Sequence, residues 1–139
     1  MSDQRGTKYM EMLQATITRM AGYSFVAKGW SVTIAAAILG LAVKDGGALF
    51  LWVGALTVTL FWLIDAYYLS LERGFRDLFK AAAADYGAGN AETFDMAVPV
   101  GVERVLATAF RPAVLMIHPP LLLAFLLAGI ILCHIARTG

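Results

Sequence analysis

Three long runs of apolar residues divide this chain, and the clearest covers residues 46–64, GGALFLWVGALTVTLFWLI, which hold no charge over nineteen positions. Nineteen residues of helix rise about 28 Å, close to the roughly 30 Å hydrocarbon core of a bilayer. The run ends at Asp65, and Tyr67 and Tyr68 follow it, as aromatic residues do at a membrane interface. The pattern predicts a transmembrane helix over residues 47–65.

A second apolar run, residues 29–43, is only fifteen residues long and lies between Lys28 and Lys44. Fifteen residues of helix rise about 22 Å, which is short for a full crossing. The two lysine side chains can snorkel to the interface, and the apolar residues 21–27 can extend the run. We therefore expect a transmembrane helix over residues 28–43.

The third apolar run, residues 120–136, is seventeen residues long and rich in leucine. A shorter apolar stretch precedes it, and Pro119 and Pro120 separate the two. Because proline breaks helix interiors but is tolerated at helix starts, we expect a helix break near this pair. We assign the third span to residues 113–136, with residues 113–118 either an interfacial segment or the first turn of a kinked helix.

The first two helices are predicted to continue beyond the membrane as amphipathic extensions. In the first extension, residues 7–27, apolar residues recur at helical spacing: Met10, Leu13, Ile17 and Met20. The second extension, with its loop, covers residues 66–111, and the loop is predicted within residues 85–98. Two i, i+4 ion pairs are expected there: Glu72 with Arg76, and Arg73 with Asp77. The extensions either pack together as a stalk or lie flat on the inner leaflet.

Composition favours an all-α integral membrane protein, since 60% of the residues are apolar and only 15% are charged. Little chain remains outside the spans and extensions, so residues 1–139 are expected to form one membrane domain. The first long apolar run begins only after Lys28, which is late for a cleavable signal, and we expect the first span to remain as an anchor. The one cysteine, Cys133, excludes an intramolecular disulfide and a thiol-based metal cluster.

The distribution of lysine and arginine predicts which side of the membrane each segment faces. Nine of the eleven lie before the first span or between the second and third, whereas only Lys44 and Arg137 lie on the other side. By the positive-inside rule, the N-terminus and residues 65–111 should be cytoplasmic and the C-terminus outside. The net charge of only +1 argues against a general nucleic-acid binder.

Lys28 and Asp65 are predicted to lie at matching depths. The short turn of residues 44–47 joins the first two spans, with Lys28 sixteen residues before Lys44 and Asp65 eighteen residues after Gly47. We expect the two side chains to face each other as an ion pair at the cytoplasmic boundary, where a pair costs less than two isolated charges. The alternative is that both side chains snorkel to water.

Sequence motifs of enzymes are missing, so no catalytic residue, cofactor or metal is expected. The chain has no glycine-rich phosphate loop, nucleophile elbow, HExxH or paired CxxC motif. His118 and His134 lie about 24 Å apart on one helix, too far to ligate one haem iron, and each is better explained as an interfacial or satisfied histidine. None of the three apolar runs holds an acidic residue, which argues against a proton-coupled transporter.

One face of the first helix is predicted to line a pore. The positions are Ser24, Lys28, Ser31, Ala35 and Leu39. Lys28 would set the charge preference and Leu39 would form a hydrophobic constriction. The alternative is that small residues such as Ala35, Gly40 and Gly54 only allow close helix packing. Three short spans can hardly enclose a pore, so a pore requires a homo-oligomer, with a tetramer as one candidate.

Six basic residues on the cytoplasmic side are candidates for binding a nucleotide or oligonucleotide. They are Arg19, Arg73, Arg76, Lys80, Arg104 and Arg111. A ring of such residues from several copies could accept phosphate groups and gate the pore. The alternative is a solvated charged face that reflects only the positive-inside rule.

Two blocks, RMAGYSFVAKGWSVTIAAAI (residues 19–38) and FWLIDAYYLSLERGFRDLF (residues 61–79), resemble small bacterial membrane proteins that act as transmembrane effectors of nucleotide-signalled anti-phage defence, the Hailong type above all. The resemblance covers about forty residues and carries over no site residue. It implies an oligomeric channel in the bacterial inner membrane that depolarises the infected cell. It also implies a partner nucleotidyltransferase, whose product, a nucleotide or short single-stranded oligodeoxyadenylate, holds the channel shut in the Hailong type.

From residues and resemblance together, we expect a homo-oligomeric ion channel without enzyme activity, gated by a cytoplasmic nucleotide or oligonucleotide. A non-conducting membrane anchor or scaffold that recruits a soluble partner is the alternative. A small transporter is the third.

Overall fold

The structure, a computed structural model, describes residues 2–45, 47–87 and 95–138, and all regular secondary structure in these ranges is helical. Five helices follow one another: α1 (Ser2–Asp45), α2 (Ala48–Gly87), α3 (Val102–Ala109), α4 (Pro112–Leu115) and α5 (His118–Thr138). Three helical stretches are long and apolar enough to cross a membrane, Gln4–Lys44, Ala48–Gly87 and Pro112–Thr138. The predicted all-α class with three candidate spans is confirmed, and it suggests a multi-pass membrane protein.

The first two spans and their predicted extensions are continuous helices. Residues 7–27 and 28–43 both belong to α1, which has 44 residues, and α2 has 40 residues. The predicted turn at residues 44–47 includes Gly46, which lies outside the described residues, and the Gly47 carbonyl oxygen accepts a hydrogen bond from the Phe50 amide at 3.1 Å as α2 begins. The hairpin is therefore formed by two long helices with a very short connection.

The extensions pack together, as the stalk alternative predicted. We call residues 2–27 of α1 and 66–87 of α2 the arm. Leu13 is fully buried within it, and the Tyr86 ring lies against Gly6, where a β-carbon would overlap the ring. The Tyr9 hydroxyl donates a hydrogen bond to the Asp95 carbonyl oxygen, which ties the chain after α2 to α1. The predicted loop at residues 85–98 starts later than expected, since α2 ends at Gly87, and residues 88–94 lie outside the described part.

The apolar core lies where α1, α2 and α5 meet. Its buried residues are Ala35 from α1, Val58 from α2 and Phe125 from α5. The Phe125 ring rests directly on Gly54, and a β-carbon at position 54 would overlap the ring. Gly54 therefore allows α5 to approach α2 closely, as the small-residue packing alternative proposed for this position.

The helix α3 lies along the arm close to α2. The Val98 side chain fills the space beside Gly74 that a β-carbon would occupy. At the C-terminal end of α3, the Trp62 indole Nε1 donates a hydrogen bond to the Ala109 carbonyl oxygen at 3.0 Å. These contacts hold the segment before the third span against the second helix.

The predicted third span at residues 113–136 is interrupted near its start. The short helix α4 ends at Leu115, residues 116–117 form a turn, and α5 begins at His118. Pro119 and Pro120 lack the amide hydrogens that would bond to preceding carbonyl groups, so a continuous helix cannot pass through them undisturbed, whereas both fit the first turn of a new helix. The predicted break near Pro119–Pro120 is therefore present, and the long helix α5 starts at His118, within the predicted span.

Candidate functional site

A cluster of polar side chains lies inside the bundle where α1, α2 and α5 meet. Lys28 Nζ lies 2.5 Å from Asp65 Oδ1 and also donates a hydrogen bond to Ser24 Oγ at 2.8 Å. The Ser24 hydroxyl donates to the same Asp65 oxygen at 2.5 Å. Ser24 precedes Lys28 by four residues, so one face of α1 supplies both groups. The predicted facing of Lys28 and Asp65 is present in the structure.

The helix α5 contributes His118 to this cluster. We call Ser24, Lys28, Asp65 and His118 the charge cluster. His118 Nδ1 lies 3.2 Å from the Val114 carbonyl oxygen and 3.8 Å from Asp65 Oδ2. The Trp62 ring stacks on the imidazole, with ring centroids 6.3 Å apart and planes inclined by 10°. His118 is fully buried, as is Asp65. The start of the third long helix is thus packed against the ion pair of the first two.

Two atoms of the charge cluster have unused hydrogen-bonding capacity. Among the residues that the structure describes, Asp65 Oδ2 and His118 Nε2 are buried without a hydrogen-bond partner. The His118 ring nitrogen that faces the Val114 carbonyl oxygen must carry a proton to donate to it, which in the neutral ring leaves Nε2 as an acceptor. Buried polar atoms in this state are uncommon in folded proteins.

The depth of the charge cluster matches one boundary of a bilayer. Lys28 and Asp65 lie about 24 and 27 Å of helix rise from the hairpin turn, and α5 extends about 30 Å from His118 to its end. If the turn lies at one interface, these three residues lie at the other side of the roughly 30 Å core. Charged groups buried inside a helix bundle are costly unless paired, and paired charges there are commonly functional.

The residues predicted to line a pore do not form a free face in one chain. Ser24, Ser31 and Ala35 are buried, and Leu39 packs against the core around Ala35 and Val58. Lys28 keeps 17% of its side chain exposed. The predicted stripe is therefore closed by α2 and α5 of the same chain, and its pore-lining role stays a prediction that requires these helices to move apart.

Close packing explains only some of the small residues on the first two helices. Ala35 is fully buried and Gly54 touches Phe125, whereas Gly40 is exposed and a β-carbon there would meet open space. The packing alternative thus holds at Ala35 and Gly54 but not at Gly40.

The structure brings three of the six predicted ligand-binding residues together on the arm. Arg73, Arg76 and Lys80 line a surface groove of about 370 Å³ along α2, which we call the basic groove. Its other lining residues are Leu69, Glu72 and Asp77. Three cations facing two carboxylates leave a net charge of +1, so one groove alone is a weak anion site.

Ion pairs within the chain neutralise part of the positive charge of the basic groove. Arg76 pairs with the buried Glu72, as predicted for the i, i+4 spacing. The predicted Arg73–Asp77 pair is not formed, because α3 packs beside Gly74 and brings Arg104 Nη2 to 2.8 Å from Asp77 Oδ2. Within the described residues, Arg73 and Lys80 are thus the groove cations without an ion-pair partner.

Arg19 and Arg111 do not line the basic groove. Both are exposed, Arg19 on α1 and Arg111 immediately before α4. Within the described residues no group of three metal-binding side chains comes together either. The groups that the structure gathers are therefore the charge cluster and the basic groove.

Sequence reasoning missed the contributions of His118 and Trp62 to the charge cluster. It interpreted His118 as an interfacial or satisfied histidine and gave Trp62 no role. The available signal was depth, because His118 stands just before the third apolar run and Asp65 just after the second, which places both near the same boundary. The role of Ser24 as a hydrogen-bond donor could also have been read from its spacing of four residues from Lys28.

Comparison with protein-family models, with curated proteins and with solved structures finds no match to this chain.

Proposed function

We propose that this chain is a subunit of an oligomeric ion channel of the bacterial inner membrane, and that the described conformation is the closed one. The observation that carries the proposal is the continuity of α2, which holds Asp65 in the charge cluster and the basic groove on one uninterrupted helix. Arg73 lies eight residues, about 12 Å, beyond Asp65. A ligand that moves this part of α2 also moves Asp65 relative to Lys28.

The closed state in this proposal is held by the charge cluster. Asp65 accepts hydrogen bonds from Lys28 and Ser24 on α1, and His118 packs beside it from α5. Separating α1 from α2 at this level would expose Ser24, Ser31 and the Lys28 ammonium group to a water-filled path. Polar residues in a membrane bundle typically line such paths.

The proposed gating ligand is anionic, a nucleotide or a short oligodeoxynucleotide made by a partner nucleotidyltransferase. The unpaired cations Arg73 and Lys80 lie seven residues apart on one face of α2, about 10 Å in helix rise. Several copies of the weakly positive basic groove around an axis would add their fields and bind phosphate groups more strongly than one copy. The role in anti-phage defence rests on the sequence resemblance, and the proposed role is not enzymatic.

Flux through liposomes tests this function. Potassium flux through liposomes that contain the purified protein should change when short oligodeoxyadenylate is added on the side of the arm. The variant Arg73→Glu/Lys80→Glu should lose most of the response to the oligonucleotide, while its flux without oligonucleotide stays that of the wild-type protein. The matched control is Arg5→Glu/Lys8→Glu, which makes the same charge change at exposed positions near the other end of the arm. No flux under any condition would refute the channel, and equal responses of both double variants would remove the basic groove as the ligand site.

A non-conducting anchor or scaffold is the second candidate, and the burial of the predicted pore face favours it. Ser31 and Ala35 are fully covered by the chain itself, as expected of a compact three-helix anchor. The exposed surface of the arm would then recruit a soluble partner. Overexpression separates the two functions, because a channel subunit depolarises cells when its ion pair is removed by Lys28→Met/Asp65→Asn, which leaves no charge unpaired, whereas an anchor does not.

A further inference from the structure

A second groove lies between α2 and α5, in the half of the bundle nearest the hairpin turn, and has a volume of about 680 Å³. We call it the apolar groove. Leu51, Trp52 and Ala55 line it from α2, and Leu126 and Ile130 line it from α5. Trp52 is 77% exposed and Leu126 is 61% exposed, so the walls face outward rather than into the core. In a bilayer such a surface must be covered by lipid or by protein.

One end of the apolar groove is positively charged. His134 and Arg137, from the last turns of α5, line it there, and the described residues that line the groove include no acidic side chain. Arg137 lies in the last turn of α5 and is exposed, at the level where a membrane helix reaches the lipid headgroups. The groove thus combines an apolar wall with a cation at its interfacial end.

The dimensions of the apolar groove suit a lipid acyl chain. From Leu122 to Arg137 its wall on α5 is about 22 Å long, which exceeds the depth of one leaflet of a roughly 30 Å core. A guanidinium group at the interface binds phosphate with two parallel hydrogen bonds. An imidazole one turn away can add a third.

We propose that the apolar groove is a binding site for one anionic phospholipid, whose phosphate contacts Arg137 and His134 and whose acyl chain lies along Leu126 and Ile130. Charge complementarity favours a lipid over a second copy of the chain. Two copies joined symmetrically through this groove would lie in the same orientation in the membrane, so their Arg137 side chains would meet at one level and repel. The site does not depend on whether the protein conducts ions.

Native mass spectrometry of the purified protein, with phosphatidylglycerol and phosphatidylcholine added in equal amounts, tests the site. We expect the protein to retain phosphatidylglycerol about fivefold more than phosphatidylcholine, and Arg137→Gln to reduce this ratio to about one. The control Lys44→Gln removes a cation at the same end of the bundle but outside the groove, and should leave the ratio unchanged. A ratio near one in the wild-type protein, or equal effects of the two variants, would overturn the proposal.

A second variant tests the apolar wall without altering the charge. Ala55→Phe fills the groove and should reduce total lipid retention several-fold, whereas Ala36→Phe on an exposed part of α1 should not. Unchanged retention in Ala55→Phe would show that lipid binds elsewhere and would overturn the proposal. If Arg137→Gln fails to fold, the comparison of Ala55→Phe with Ala36→Phe decides whether lipid binds in the apolar groove.

Oxidative cross-linking of the wild-type protein in vesicles identifies the competing occupant. Cys133 is exposed and lines the apolar groove, and it is the one cysteine of the chain. A second copy seated there would bring two Cys133 thiols together, and an oxidant would then convert most of the protein into disulfide-linked dimers. A chain that stays monomeric on a reducing-agent-free gel supports the lipid, and predominant dimers overturn it.

Discussion

The Lys28–Asp65 pair of the charge cluster and the Arg104–Asp77 pair beside the basic groove each use a carboxylate of α2, yet their surroundings differ. Asp65 is fully buried and Lys28 is only 17% exposed, whereas Arg104 on α3 and Asp77 on α2 are 42% and 62% exposed. A buried pair cannot lose one member without leaving an uncompensated charge, while an exposed pair is replaced by water at little cost. The Lys28–Asp65 pair is therefore required for stability, whereas the Arg104–Asp77 pair can be lost with little change in stability.

The largest effect is expected from removing one member of the buried pair. Asp65→Asn should destabilise the protein by about 3 kcal/mol, the lower end of the range for such changes, because Lys28 can still reach water with part of its side chain. The loss is measured as the change in unfolding free energy in mixed micelles of increasing denaturing detergent. Lys28→Met/Asp65→Asn should recover more than half of it, since no charge is then left unpaired. A double variant as unstable as the single one would show that the ion pair does not explain the effect.

A smaller loss is expected where packing rather than charge joins the helices. Gly54→Ala should cost about 1–3 kcal/mol, because the new methyl group overlaps the buried Phe125 ring. Gly40→Ala is the matched control: nothing lies near its added β-carbon, so the variant should be neutral or up to about 1 kcal/mol more stable through helix propensity. Thermal melting of both variants in the same detergent checks the difference. Equal melting temperatures would mean that α5 does not pack on Gly54 in solution.

The smallest effect belongs to the exposed Arg104–Asp77 pair between α3 and α2. A double-mutant cycle with Arg104→Gln and Asp77→Asn should give a coupling free energy of about 0.2–1 kcal/mol. Raising the salt concentration to about 0.5 M should reduce this coupling by screening, whereas the cost of Asp65→Asn should change little because its pair is buried. Salt sensitivity of equal size in both regions would contradict the difference in burial.

Helix positions in this chain follow from patterns that sequence shows directly. The apolar runs and the amphipathic residues of the extensions predicted α1 and α2 as continuous helices, because hydrophobicity and helical spacing are local properties. The pairing of Lys28 with Asp65 was also predictable, since a short turn fixes which residues of two antiparallel helices lie level. Distances along a helix are set by its rise of about 1.5 Å per residue.

Contacts between elements joined by long connections could not be predicted in the same way. Asp77 pairs with Arg104 instead of the expected Arg73, because α3 packs along α2. No local sequence pattern indicates where α3 packs. The burial of Ala35 likewise depends on where α5 packs, because Phe125 of α5 lies in the same core cluster. The sequence showed that one face of α1 was distinctive but not whether that face meets its own chain or a pore.

The two ends of the α1–α2 hairpin are both fastened, and this has a mechanical consequence. The short connection before α2 joins one end, and Tyr86 on Gly6 with Tyr9 on the Asp95 carbonyl joins the other. Lys28 and Asp65 lie within about three residues of the midpoint of each helix between these fastenings. Two helices that are joined at both ends can separate only by bending, and the separation is then greatest near their midpoints. The Lys28–Asp65 pair lies near these midpoints, so it resists the bending that would separate α1 from α2.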